Sequence, residues 1–132
     1  MEATYNVYRV SITQLDGAGP DHVAITLVPT EIDAQDRGRW YHVTGNAGMG
    51  MEYECRPGFN FGADKAYKGK EFHFSFPKSK LAAFEEISRS VPPPHDTRVL
   101  MVTNTNALDP PAPDCATWVK EVLDIAKRQL QD

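Results

Sequence analysis

The sequence of 132 residues contains little cysteine, no dense basic cluster and no long apolar run. Its two cysteines do not make a disulfide framework, so we expect a protein of the reducing cytoplasm. The net charge of −4, from 14 basic and 18 acidic residues, argues against duplex nucleic acid as a partner, because phosphate binding requires a basic surface. No apolar run approaches the ~20 residues that span a bilayer, and the N-terminal residues lack the pattern of a secretory signal. We therefore expect no transmembrane segment.

Motifs for metals and nucleotides are also missing. Two cysteines and four histidines are present, but no CxxC, HxxxH or HExxH spacing occurs. The glycine-rich stretch 45–50 lacks the lysine and the following helix of a phosphate-binding loop, and we interpret it as a hairpin connection. The sequence therefore predicts neither a metal nor a cofactor.

The rest of the composition is that of a globular domain, with 41% hydrophobic and 24% charged residues. A chain of this length buries about two thirds of its unfolded surface, which provides a core without disulfides or metals. We predict a single domain over residues 1–132.

Apolar periodicity predicts strands followed by helices. Strands are expected at residues 5–13, 22–28, 39–44, 51–55, 71–76 and 98–103, with a turn at 15–20 and an irregular segment at 56–69. The strand at 22–28 is almost continuously apolar, which is typical of a central strand. Ser79 is the expected N-cap of a first helix, and Asp114 caps a second that runs to about Gln131 with one apolar stripe. This pattern predicts an α+β fold in which helices pack on an antiparallel sheet.

Alternation assigns the strand residues to faces. His22 begins the central strand, and His42 shares a face with Trp40 on the next strand, so antiparallel pairing would bring the two imidazoles side by side. Cys55 is expected in the core. Glu52 and Glu54 are interpreted as a solvated face. The three phenylalanines Phe72, Phe74 and Phe76 are expected to share one face.

Cys115 lies in the first turn of the last predicted helix. Unpaired N–H groups and the helix dipole favour an anion there, so the position predicts a lowered thiol pKa and a nucleophilic thiolate. The N–H of Cys115 would also face an oxyanion formed on attack. His22 and His42 would supply a base and an orienting group. A small buried residue in an apolar stripe is the alternative interpretation of Cys115.

Three short segments resemble the lecithin:retinol acyltransferase-like proteins. Asp21-His22-Val23-Ala24-Ile25 and Tyr41-His42-Val43 resemble their two histidine strands, and Asp114-Cys115-Ala116-Thr117-Trp118-Val119 resembles their nucleophile helix. The order His, His, Cys is that of circularly permuted papain-like domains, which are related to NlpC-type peptidases. Two departures are Val23, where the family has Trp, and Asp114, where it has Asn.

The resemblance implies Cys115 as the nucleophile, His22 as the general base and His42 as the group that orients His22. The expected function is a hydrolase or acyltransferase that forms a Cys115 thioester from an amide, ester or thioester, with a small-molecule, lipid or peptide-like substrate. Trp40 and Tyr53 are candidates for lining its groove. One alternative, motivated by Asp114 and the missing Trp, is a catalytically silent binding module. Another is a zinc protein using His22, His42 and Cys115. The oligomeric state stays open.

Overall fold

The computed structural model describes residues 3–13, 21–103 and 108–131. Within these ranges the chain forms five strands and two α-helices, which are β1 (Thr4–Ile12), β2 (His22–Pro29), β3 (Gly38–Thr44), β4 (Glu52–Phe59), β5 (Tyr67–Pro77), α1 (Leu81–Ser90) and α2 (Cys115–Leu130). The strands form one antiparallel sheet in the order β4-β3-β2-β1-β5. The α+β class, with helices packed on an antiparallel sheet, is confirmed.

One face of the sheet is covered by the two helices. Alternate residues of β2, namely Val23, Ile25 and Leu27, contribute to the main core on this face. The apolar stripe predicted for α2 is confirmed, since its buried residues are Cys115, Trp118, Val119, Val122, Leu123, Ala126 and Leu130. The ring of Phe84 on α1 packs against the rings of Tyr41 and Phe76 in the sheet.

The opposite face of the sheet carries a smaller core of Val10, Ala24, Val28, Trp40 and Phe61. Phe61 lies in the connection between β4 and β5, and its ring stacks on Trp40 with centroids 5.9 Å apart. Because β4 and β5 are the two edges of the sheet, residues 60–66 must cross from one edge to the other. β2 is therefore the central strand and is buried on both faces, which explains its nearly continuous apolar sequence.

The sheet opens between β2 and β3 at one end. β1 stays paired with β2 as far as His22, whereas β3 pairs, in the described part of the chain, only with residues 25–27 of β2. Residues 22–24 therefore lack a ladder to β3. Cys115, at the start of α2, packs beside Val23 in this region. The two histidine positions and the cysteine of the sequence prediction are thus gathered at the open end.

Two predicted local elements are wrong. Residues 98–103 do not form a strand, because the chain makes a 3₁₀ turn at Thr97–Met101. Asp96 caps this turn, since its side chain accepts the backbone N–H of Arg98. Ser79 is not the N-cap of α1, since a 3₁₀ turn at Lys78–Lys80 follows β5 directly and leaves Lys80 at the cap position. The turn predicted at 15–20 lies outside the described residues.

Two of the strands, β4 and β5, are longer than their sequences predict. β4 continues to Phe59 and β5 begins at Tyr67, so the irregular segment predicted at 56–69 is shorter than expected. A register shift in the β1–β5 ladder also interrupts the predicted face of three phenylalanines, leaving Phe72 55% exposed while Phe74 and Phe76 are buried. Cys55 is exposed rather than in the core, because β4 is an edge strand.

Asp114 caps α2 as predicted. Its side chain accepts the backbone N–H of Thr117, while the Thr117 hydroxyl accepts the backbone N–H of Asp114, so the two residues form a capping box. This pair satisfies one of the four unpaired N–H groups of the helix and fixes the direction in which α2 leaves the preceding loop.

We predict that Asp114→Ala lowers the free energy of unfolding by roughly 0.5–2 kcal/mol, the usual cost of losing an N-cap acceptor. Urea denaturation followed by circular dichroism measures the effect. Asp124→Ala is the matched control, because Asp124 is an exposed residue of the same helix whose side chain pairs, among the described residues, with Lys120 alone. Equal losses in the two variants would contradict a specific capping role.

Candidate active site

The imidazoles of His22 and His42 lie side by side on the face of the sheet opposite the helices. His22 Nε2 and His42 Nδ1 are 2.9 Å apart, and the other nitrogen of His42, Nε2, is 2.7 Å from Glu54 Oε1. Three side chains from three adjacent strands therefore form one hydrogen-bonded chain that runs from β4 through β3 to β2.

Glu54 is the residue of this chain that sequence reasoning missed. Alternation correctly separated it from the core side, but it was interpreted only as part of a solvated face. The strand register pairs it with His42, and Arg56 Nε donates to the same carboxylate oxygen at 2.9 Å. These hydrogen bonds, above all the one from His42, hold the pKa of Glu54 below its usual value. The carboxylate is therefore ionised at neutral pH.

The ionised carboxylate sets the direction of the whole chain. A carboxylate only accepts hydrogen bonds, so the proton of His42 must lie on Nε2. Burial lowers the pKa of both imidazoles, and the neutral His42 ring then offers an acceptor at Nδ1. His22 accordingly donates from Nε2 and keeps a lone pair on Nδ1. His22 is therefore a neutral base whose basic nitrogen, Nδ1, is not used in the hydrogen bonds that link it to His42 and Glu54.

Cys115 is 9% exposed and belongs to the main core on the helix side. The backbone N–H groups of Val23, Cys115 and Ala116 favour its thiolate, but burial is the largest influence and the Asp114 carboxylate opposes ionisation as well. The pKa of the thiol is therefore raised above its usual value. The lowered pKa predicted from the helix position is wrong, because burial outweighs the helix end.

Cys115 and His22 approach the same short stretch of β2 from opposite sides. The sulfur faces the backbone amide of Val23, which is the residue directly after His22. In the described part of the chain no hydrogen bond joins Cys115 Sγ to either imidazole, so the structure brings His22, His42 and Glu54 together and leaves the thiol one residue away along the strand.

The two predicted substrate-binding aromatics lie on different faces. Trp40 is on the imidazole side, edge-on to His42 with ring centroids 5.7 Å apart. Tyr53 is on the helix side, where its ring packs near Trp118 and its hydroxyl is 2.8 Å from Ser88 Oγ. Of the two, Trp40 shares a cavity with the histidines.

This cavity has a volume of about 320 Å³. It is lined by Ile12, Thr13, His22, Trp40, His42, Arg56, Phe59, Asp64 and Ala66.

Among the described residues, no group of three or more His, Cys, Asp or Glu side chains is arranged to hold a metal ion. The zinc alternative based on His22, His42 and Cys115 thus has no support in the geometry.

We predict that Glu54→Gln weakens the fixed proton order of the two imidazoles. A glutamine side chain can accept from His42 Nε2 through its oxygen or donate to it through its NH2 group, so the reversed order, with the protons of both rings on Nδ1, becomes populated beside the original one. Imidazole nitrogen chemical shifts measured by NMR distinguish the two tautomers. Glu52→Gln, two residues earlier on the same exposed face, is the control and should leave both rings unchanged. Identical spectra for the two variants would contradict the directional chain.

We also predict that Asp114→Asn lowers the pKa of Cys115. Asparagine keeps the capping acceptor but removes the negative charge that opposes the thiolate. The measurement is the pH dependence of alkylation by iodoacetamide in a Cys55→Ser background, which removes the exposed thiol. The alkylation midpoint should move to lower pH than in the Asp114 parent. An unchanged or higher midpoint would show that the Asp114 charge does not act on the sulfur.

Comparison with known proteins supplies a family but no activity. No curated protein and no solved structure matches the chain. Within the described ranges, neither α-helix is long and apolar enough to cross a membrane. A family model matches residues 7–129, a range that includes His22, His42, Glu54 and Cys115. The chain therefore belongs to DUF6540, a family of unknown function.

Proposed function

We propose that the protein is a cysteine-dependent hydrolase or acyltransferase of the reducing cytoplasm, with a circularly permuted papain-like arrangement. The observation that carries the proposal is the directional chain from Glu54 through His42 to His22, which ends on a free basic nitrogen next to the strand residue that Cys115 contacts. The order of these groups along the chain agrees with the resemblance to the lecithin:retinol acyltransferase-like proteins.

In the proposed reaction, Cys115 Sγ attacks the carbonyl carbon of an amide, ester or thioester. His22 Nδ1 accepts the thiol proton as the carbon–sulfur bond forms, and the carbonyl electron pair moves to oxygen. The N–H groups at the start of α2, which favour the Cys115 thiolate, would also stabilise the resulting oxyanion. His22 then gives the proton to the departing nitrogen, oxygen or sulfur as its bond to carbon breaks, leaving a Cys115 thioester.

Water, an amine or a hydroxyl resolves the thioester in the second half of the reaction. His22 again accepts the proton of the attacking group and returns it to the departing Cys115 sulfur. Water as the acceptor makes the protein a hydrolase, and an amine or hydroxyl makes it an acyltransferase. His42 and Glu54 act through His22, as positioning residues that hold its tautomer and stabilise its protonated form.

The resting protonation states favour general-base catalysis over a preformed ion pair. Burial raises the pKa of Cys115 and lowers that of His22, so the thiol and the imidazole are both neutral at pH 7. Protonation of His22 at lower pH removes the base. The rate should therefore rise as the pH increases through the lowered pKa of His22, below its ordinary value of about 6.5, and then level off.

A second candidate is a binding module without chemistry. The burial of Cys115 and its raised pKa favour this alternative, because both make the sulfur a poor nucleophile. The two candidates differ in whether Cys115 forms a covalent adduct with an acyl donor.

We predict that p-nitrophenyl acetate transfers an acetyl group to Cys115. The experiment uses a Cys55→Ser background and reads the adduct by acid quench and peptide mass spectrometry. His22→Ala should slow acylation by roughly 10²–10⁴-fold, the usual contribution of a general base. Cys115→Ser should abolish the thioester.

His73→Ala is the matched histidine control. His73 lies on β5 and pairs with Glu71, so it takes no part in the hydrogen bonds that join Glu54, His42 and His22. It should acylate at the parent rate, and circular dichroism should show that all variants are folded. The proposal fails if Cys115 stays unmodified, or if His22→Ala and His73→Ala acylate equally fast; the binding module would then be the better interpretation.

A further inference from the structure

The cavity beside the imidazoles extends across the face of the sheet. Arg56 and Phe59 come from β4 at one end, while Ile12 and Thr13 at the end of β1 form the other. His22, Trp40 and His42 lie on the strands in between. Because β4 and β1 are three strand spacings apart, the backbone positions at the two ends differ by about 14 Å.

A cation stands at the β4 end. The Arg56 guanidinium lies 5.0 Å from the centre of the Phe59 ring, and its Nε is engaged by Glu54. In the described part of the chain neither Nη atom of Arg56 makes a hydrogen bond. A stacked guanidinium with two NH2 groups available in a cavity is suited to bind a carboxylate.

An anion stands at the β1 end. Asp64 belongs to the connection that crosses the sheet, and the backbone N–H of Thr13 donates to the carbonyl of Ala66, which ties this connection to the end of β1. Asp64 Oδ1 accepts the Ala66 N–H, whereas Oδ2 has no hydrogen bond to any described residue. A free carboxylate oxygen in this position is suited to receive an ammonium group.

Between the charged ends the cavity is neutral or apolar. Burial keeps His22 and His42 uncharged at neutral pH, and Trp40 and Ile12 supply apolar surface. A ligand with a single negative charge would pair with Arg56 but leave Asp64 unpaired at the other end of the cavity. A ligand with a single positive charge would pair with Asp64 and leave Arg56 without an anionic ligand. A ligand with opposite charges at its two ends satisfies both.

We propose that this cavity binds a short peptide, with its terminal carboxylate on Arg56 and its terminal ammonium group on Asp64. An extended di- or tripeptide is about 7–11 Å long, which bridges two side chains that reach inward from ends about 14 Å apart. A cavity near 320 Å³ is at the small end of ligand sites, in keeping with a ligand of this size. The peptide as a substrate of Cys115 rests on the proposed function, but its binding does not.

The experiment measures peptide affinity by isothermal titration calorimetry on a Cys115→Ala variant, which cannot form a thioester. The probes are L-alanyl-L-leucine and L-alanyl-L-alanyl-L-leucine, each also with an amidated carboxyl end or an acetylated amine. Each cap should weaken binding about 10- to 150-fold, the value of one charge-assisted hydrogen bond. Arg56→Gln should remove the effect of amidation and Asp64→Asn the effect of acetylation.

Arg37→Gln is the matched control, because Arg37 lies outside this cavity. The proposal is overturned if neither free peptide binds, if capped and free peptides bind equally, or if Arg56→Gln behaves as Arg37→Gln does. Since the Cys115→Ala protein does no acyl chemistry, a failure of binding and a failure of Cys115 acylation are separate results.

Discussion

The structure of the site depends on the burial of β2 on both faces. A strand sends successive side chains to opposite sides, so His22 and Val23 belong to different layers although they are neighbours in sequence. In the helix layer, Cys115 contacts Val23. In the opposite layer, His42 and Glu54 form the hydrogen-bonded chain that ends at His22. If one face of β2 were exposed to solvent, the strand could not lie between the Cys115 thiol on one side and the His22 imidazole on the other.

In the described part of the chain, β2 does not pair with β3 at residues 22–24, and this gap allows the two layers to meet there. A continuous ladder would fill the space between the two strands with backbone hydrogen bonds and keep the layers apart. Because the strands separate, the amide of Val23 can face the sulfur of Cys115. In the described part of the chain, residues 22–24 of β2 pair with β1 and not with β3, and this one-sided pairing lets Cys115 and His22 adjoin the same segment of β2.

Much of the fold was predictable because its signals are local. The period of α2, its Asp114 cap and the apolar run of β2 all depend on residues close together in sequence. Long-range pairing was not predictable: the register that sets Glu54 opposite His42, and the shift that exposes Phe72, arise from contacts between distant segments. For the thiol pKa, the sequence shows both the helix N-terminus and the apolar stripe that buries Cys115, but which influence is larger depends on how closely distant segments pack around the sulfur.

Arg56 belongs to two environments at once. Its Nε donates to the Glu54 carboxylate, which fixes the protons of His42 and His22, and the same side chain lines the cavity. A change in the charge next to this guanidinium therefore alters the proton affinity of Glu54 and, two hydrogen bonds further on, the basicity of His22. Linkage is reciprocal, so the protonation of His22 would in turn alter how strongly the cavity could hold an anion at Arg56.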